Sequence, residues 1–126
     1  MSDEKLIELI EDALNSSTEN GNVEFKDCRE GLHKHLWKAV TAFSNSPGGG
    51  IIVLGVLEDQ TTQKKQIVGG LDLDQLQQNI VALLEQKIVN KADYQIRIID
   101  LRGEKLLVII LSETPRENKP CYFSDL

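Results

Sequence analysis

Three groups of residues have the types and spacing to do chemistry. The first is a basic stretch in which Lys26, Arg29, Lys34 and Lys38 are answered only by Asp27 and Glu30, with His33, His35 and Trp37 interleaved. Lys34 and Lys38 are four apart, so a helix would carry both on one face. Phosphate contact is what such a face offers; the plainer reading is a solvated charged surface. The second group is Glu19 and Glu24, which flank the entry into a short stretch that alternates apolar with charged. Carboxylates gathered at a sheet edge can hold Mg2+ or Mn2+ and clamp a phosphodiester, although most such pairs are surface acids. The third is Gly48-Gly49-Gly50, directly after Asn45-Ser46-Pro47.

The glycine run does not read as a nucleotide cradle. Phosphate loops run strand, glycines, helix, so that amides at the helix start point at the anion. Here the glycines follow helical spacing and precede an apolar run, and no Gly-Lys-Ser or Gly-Lys-Thr is present. That order disfavours hydrolysis of the P-loop type. A helix stop with close backbone packing is the expected role, and exposed amides meeting a phosphate are the alternative. His33 and His35 are two apart, about 200° around a helix axis, and cannot readily share an ion. Cys28 and Cys121 are too few and too distant in sequence for a disulfide framework or zinc knuckle, and no CxxC occurs. A reduced, cytoplasmic setting is the simplest expectation.

Several elements must position these groups. Leu6, Ile10 and Leu14, with Ile7 and Ala13 beside them, recur at helical spacing, predicting an amphipathic helix over Asp3 to Asn15 with an acidic outer face. Val23 to Lys26 alternates as a half-buried strand and places Glu24 and Lys26 on one face. From Leu32 through Leu36, Ala39, Val40 and Phe43 the spacing is helical again, until Asn45-Ser46-Pro47 and the glycines stop it. Ile51 to Leu54 is apolar at every position, which suits a central strand covered on both faces. Residues 57 to 66 are polar, a loop or hairpin connection. Ile67-Val68 reads as a short strand, and Asp72 or Asp74 is placed to cap a helix carrying Leu76, Ile80, Leu83, Leu84 and Ile88. Two strands, Tyr94 to Leu101 and Lys105 to Leu111, meet at an Arg102-Gly103 turn, and Cys121 to Phe123 is a candidate late edge strand. A single α/β (α+β) domain follows, a mixed sheet with helices packed on it.

Size and charge agree with one soluble globule. The chain has 126 residues, 40% hydrophobic and 27% charged, enough for one core and too short for a second domain. No apolar run approaches the roughly 18 residues of a membrane span. Net charge is −6, but residues 1–24 hold seven acids and one base, while the remainder balances at 13 of each sign. The total therefore does not exclude nucleic acid as a partner.

Val23-Glu24-Phe25-Lys26, then Ala42 through Gly50, the apolar run Ile51 to Leu54, Gly55-Val56 and Ile67-Val68-Gly69 together resemble the Schlafen-type AlbA-like domain. The pattern continues through Leu106 to Leu111 and Lys119-Pro120-Cys121-Tyr122. It spans residues 19–126 and leaves 1–18 as an N-terminal amphipathic helix. The resemblance is to a DNA-binding module of bacterial transcriptional regulators, some of whose members are labelled RecG-related or divergent AAA proteins. The chain stops at Leu126 with little polar tail, as expected of the leading part of a longer protein. The resemblance implies a ridge facing nucleic acid, built by the Phe-Lys strand, the Ala-Phe-Ser-Asn helix and the glycine turn. On that ridge Lys26, Arg29, Lys34, Lys38, Asn45, Gly48 and Gly49 are the expected contacts, with DNA favoured over RNA. In animal Schlafen proteins similar domains form a ribonuclease whose acidic centre has two glutamates spaced like Glu19 and Glu24, and an aspartate directly after the Gly-Val. Leu57 stands at that aspartate's place here, so Asp59, of the same strand parity, or Glu58 would have to complete a Mg2+ or Mn2+ site. The zinc-binding cysteines of the animal proteins have no counterpart, and no Walker motif supports ATP binding. Three readings follow: a nucleic-acid binder, a metal-dependent endoribonuclease, and a protein-interaction or dimerisation module; a homo-oligomer is compatible with each.

Overall fold

The computed structural model describes residues 1–16, 22–32 and 35–125. In chain order the elements are α1 (Asp3–Asn15), β1 (Val23–Lys26), α2 (Leu36–Ser44), β2 (Gly50–Leu54), β3 (Val56–Glu58), β4 (Lys65–Ile67), α3 (Leu73–Gln86), β5 (Ile88–Val89), β6 (Tyr94–Leu101), β7 (Glu104–Leu111) and β8 (Tyr122–Phe123), with one 3-10 turn at Arg116–Asn118. The main sheet has the order β1-β2-β7-β6; β1 runs parallel to β2 and the other pairs are antiparallel. Two small ribbons, β3-β4 and β5-β8, flank it. It is an α+β domain with a mixed sheet.

Every residue of β2 is buried, because the strand lies inside the sheet with helices on both sides. Ile52, Leu54, Leu107 and Ile109 face Leu36 and Val40 of α2 and Leu76, Ile80 and Leu84 of α3. Ile51, Val53, Leu106 and Val108 face the other way, where Phe25 and the Leu6, Ile10, Ala13 stripe of α1 cover them. Each fully buried Leu or Ile stabilises the fold by about 1.5–3 kcal/mol. Helix starts are set locally: the Ser2 hydroxyl accepts from the Lys5 amide at 3.1 Å, and the Asp72 carboxylate accepts from the Gln75 amide at 3.1 Å. Arg102 (φ 51°) and Gly103 (φ 82°) make the tight β6–β7 turn.

Two expectations need correction. The helix after β1 begins at Leu36 and not at Leu32. Cys28 (φ 57°) and Gly31 (φ 115°) both adopt left-handed backbone, and Gly31 donates its amide to the Cys28 carbonyl, so this stretch is a turn that helical spacing cannot reveal. Leu32 still packs on the core from within it. Ile88, expected on α3, opens β5 and pairs with Phe123; Lys87 has already ended the helix.

Candidate nucleic-acid interface

A cleft of about 340 Å3 runs along β1, between α2 and the β3-β4 ribbon. Strand alternation makes one of its walls: Phe25 turns into the core, which leaves Glu24 and Lys26 on the side of α2. The Lys26 ammonium is 3.9 Å from the Glu24 carboxylate. From α2, Lys38 is exposed at the rim, its ammonium 5.7 Å from the centre of the Trp37 ring; that ring stacks on Phe123 at 4.7 Å. From the ribbon, Glu58 enters the cleft opposite its register partner Lys65. The Lys65 side chain is only 4% exposed. Its ammonium donates to the Ser16 carbonyl at 2.9 Å, lies 3.7 Å from the Glu58 carboxylate and sits 5.9 Å over the Phe25 ring.

The expected residues separate into those the cleft gathers and those it does not. Glu24 and Lys38 both line the cleft, and Lys26 is tied to it only through its 3.9 Å approach to Glu24. Arg29 is turned onto its own neighbour: its guanidinium forks onto the Asp27 carboxylate at 2.7 and 2.9 Å. That bond holds the Asp27 carboxyl below its ordinary range and pushes the guanidinium up. Glu19 and Lys34 lie outside the described residues. Asp59 does not line the cleft with Glu24; Glu58 does. β3 ends at Glu58, and the Asp59 carboxylate accepts from the Thr61 and Thr62 amides at 2.8 and 3.1 Å inside the hairpin turn. Those amide bonds, Thr62's first, hold its carboxyl below the ordinary range. Alternation along β3 points Glu58 inward and Leu57 outward, where Leu57 is exposed. Among the described residues no three His, Cys, Asp or Glu side chains gather to hold a metal ion.

Asn45, Gly48 and Gly49 each have partners or close neighbours inside the fold. The Asn45 carboxamide donates to the Cys121 carbonyl at 2.8 Å and accepts from the Cys121 amide at 2.7 Å, latching the last strand to the end of α2. Gly49 (φ 71°) is buried, and a Cβ there would come within 2.0 Å of the Leu111 carbonyl oxygen. A Cβ on Gly50 would enter the Phe43 ring at 2.3 Å. The Gly48 amide donates to the Glu113 carboxylate at 3.0 Å, which also pairs with Lys119 at 2.6 Å. Lys119 first, then the Gly48 amide, hold the Glu113 carboxyl below its ordinary range.

Glu58 is the alternative to Asp59 that the sequence offers, whereas Lys65 escapes sequence reasoning, because residues 57–66 read as a polar connection. The available signal was the matched alternation of Val56-Leu57-Glu58 and Lys65-Gln66-Ile67, which pair across the ribbon.

With this geometry in view, the comparisons identify the class: the Schlafen, AlbA_2 family matches residues 19–125, and the chain belongs to it. The solution structure of the N-terminal domain of a RecG-related protein from Nitrosomonas europaea is similar, with a TM-score of 0.72 and 23% identity over 98% of this chain and 81% of that one. It shows the same fold. The DIP2311 protein from Corynebacterium diphtheriae is similar at a TM-score of 0.56 and 25% identity over 94% of this chain; only 23% of that protein's chain is spanned. No curated protein matches. Among the described residues no helix is long and apolar enough to cross a membrane.

Proposed function

We propose that this domain binds nucleic acid along the β1–α2 cleft, DNA ahead of RNA, as the recognition part of a cytoplasmic bacterial transcriptional regulator. The observation that carries this reading is Lys38: exposed at the rim of the cleft, with no ion-pair partner among the described residues. Most other described cations are neutralised at home, as Arg29 is by Asp27, Arg97 by Asp3, Arg102 by Glu11, Lys105 by Asp100 and Lys119 by Glu113. Membership of the Schlafen, AlbA_2 family supports the reading, as does the Nitrosomonas neighbour, whose description relates it to an ATP-dependent DNA helicase.

Fluorescence anisotropy on mixed-sequence DNA, single-stranded and duplex, tests it. Weak binding at low salt should fall as salt rises, because phosphate contacts release counterions. Lys26→Glu combined with Lys38→Glu should abolish binding; Lys38 is exposed and its change alone should alter stability by only about 0.5 kcal/mol, while thermal unfolding of the double variant checks the half-buried Lys26 position. Undiminished binding by that variant refutes the proposal. Glu24 and Glu58 facing one cleft favour a second reading, a metal-dependent nuclease. Cleavage of tRNA in Mn2+ that Glu24→Gln abolishes would put it first.

A further inference from the structure

The cleft suits a single base better than it suits a stacked duplex. Its volume of about 340 Å3 lies at the small end of the range for small-molecule pockets, about 300–1,000 Å3. Its α2 wall is apolar, made by Ala39, Ala42 and the half-buried Phe43 ring. That ring is held against Gly50, where only a missing Cβ gives it room. The opposite wall carries two carboxylates, Glu24 and Glu58, with the buried ammonium of Lys65 beside Glu58. The more exposed carboxylate, Glu24, repels a phosphate, so the backbone of a bound strand belongs at the rim with Lys38. The two carboxylates are acceptors only, each with two oxygens, and they fit a ring edge that sets two donors side by side.

Both carboxylates have a lysine nearby, Glu58 the buried Lys65 at 3.7 Å and Glu24 the half-buried Lys26 at 3.9 Å, but the Glu24 side chain is 40% exposed against 25% for Glu58 and is the carboxylate more open to a ligand. Guanine is the base whose pairing edge sets two donors side by side, N1–H and the N2 amino group. In a duplex, cytosine occupies both. A carboxylate therefore reaches them only when the base has left its stack, as bases bound by proteins in single strands do.

We propose that the cleft holds one unpaired guanine nucleotide. The base lies against Phe43 and the α2 alanines, its two N–H donors meet the Glu24 carboxylate, and its phosphate rests on Lys38. This rests on the nucleic-acid reading above and narrows its ligand to an unpaired strand.

Anisotropy with the 126-residue chain and three end-labelled probes of equal length separates the outcomes. The probes are an oligothymidine single strand, the same strand with one central guanosine, and the guanosine strand annealed to its complement. The guanosine strand should bind about tenfold tighter than the thymidine strand, the scale of one two-point base contact, and tighter than the annealed form. Glu24→Gln, at a half-exposed edge-strand position, should erase the tenfold difference between the two single strands. Equal affinity for the two single strands, tighter binding of the duplex, or an increment that survives Glu24→Gln overturns the guanine assignment and leaves the domain a nucleic-acid binder. Failure to bind any probe at low salt removes both readings.

Discussion

The turn from Asn45 to Gly50 and the cleft along β1 share helix α2, but the chain treats them differently. In the turn, polar groups are answered from inside the molecule: the Asn45 carboxamide by the Cys121 backbone, the Gly48 amide by Glu113, the Gly49 amide by the Ser46 carbonyl. In the cleft, Lys38 stands at the rim with, among the described residues, only a ring beneath it, and Glu24 meets Lys26 at the loose distance of 3.9 Å. The residues whose types look most specialised, a glycine run beside an asparagine, are thus spent on geometry. Ordinary charged residues a few positions upstream are the ones left to meet a partner. An unusual composition marks a backbone constraint as readily as it marks a ligand.

The comparison breaks most severely at Gly49. Gly49→Val places a branched side chain at φ 71° and against the Leu111 carbonyl; overpacking and left-handed strain together cost about 3 kcal/mol or more. Thermal unfolding should show a melting point lowered by many degrees or no cooperative transition at all, and an unchanged melting point combined with lost DNA binding would move the turn to the ligand side. A smaller loss is expected at the latch. Asn45→Ala leaves the Cys121 amide and carbonyl without partners, costing about 2 kcal/mol by the price of unsatisfied buried groups. Urea unfolding should report that drop while anisotropy on DNA stays as it was; weaker binding at equal stability would give Asn45 a contact.

The mildest test concerns pH. Glu113 has its folded pKa depressed by Lys119 and the Gly48 amide, so its contribution is complete above the unfolded value, about 4.3, and is lost as pH falls through the folded one. The stability difference between the native chain and Glu113→Gln should be present at neutral pH and shrink below about pH 4.3. A difference that grew on acidification would mean the carboxylate is not held as described.

Much of the scaffold was readable because it is written locally. Leu6, Ile10 and Ala13 give α1 by spacing alone, Val23 to Lys26 gives β1, and Ile51 to Leu54 announces the doubly covered β2 by having no polar position. Arg102-Gly103 marks the one hairpin turn that composition names outright. What stayed hidden depends on partners far along the chain. Asn45 and Cys121 are 76 positions apart, and nothing in either neighbourhood states that they meet. The late start of α2 turns on left-handed backbone at Cys28, a residue with no intrinsic reason to adopt it. Asp59 shares strand parity with Leu57, but parity is meaningful only while the strand lasts, and β3 stops one residue short of it.

The first helix leads to a different kind of conclusion. Residues 1–18 fall outside the segment by which the family is recognised, yet Leu6, Ile10 and Ala13 are completely enclosed, and beneath them lie Phe25, Ile51, Val53 and Val108. The recognisable stretch and the stretch that folds have different lengths. A gene trimmed to the recognisable one would strip an oily sheet face bare. Its product would fail at the centrifuge before it reached any binding assay, and that failure would speak about a missing cover, with nothing to say about affinity for DNA.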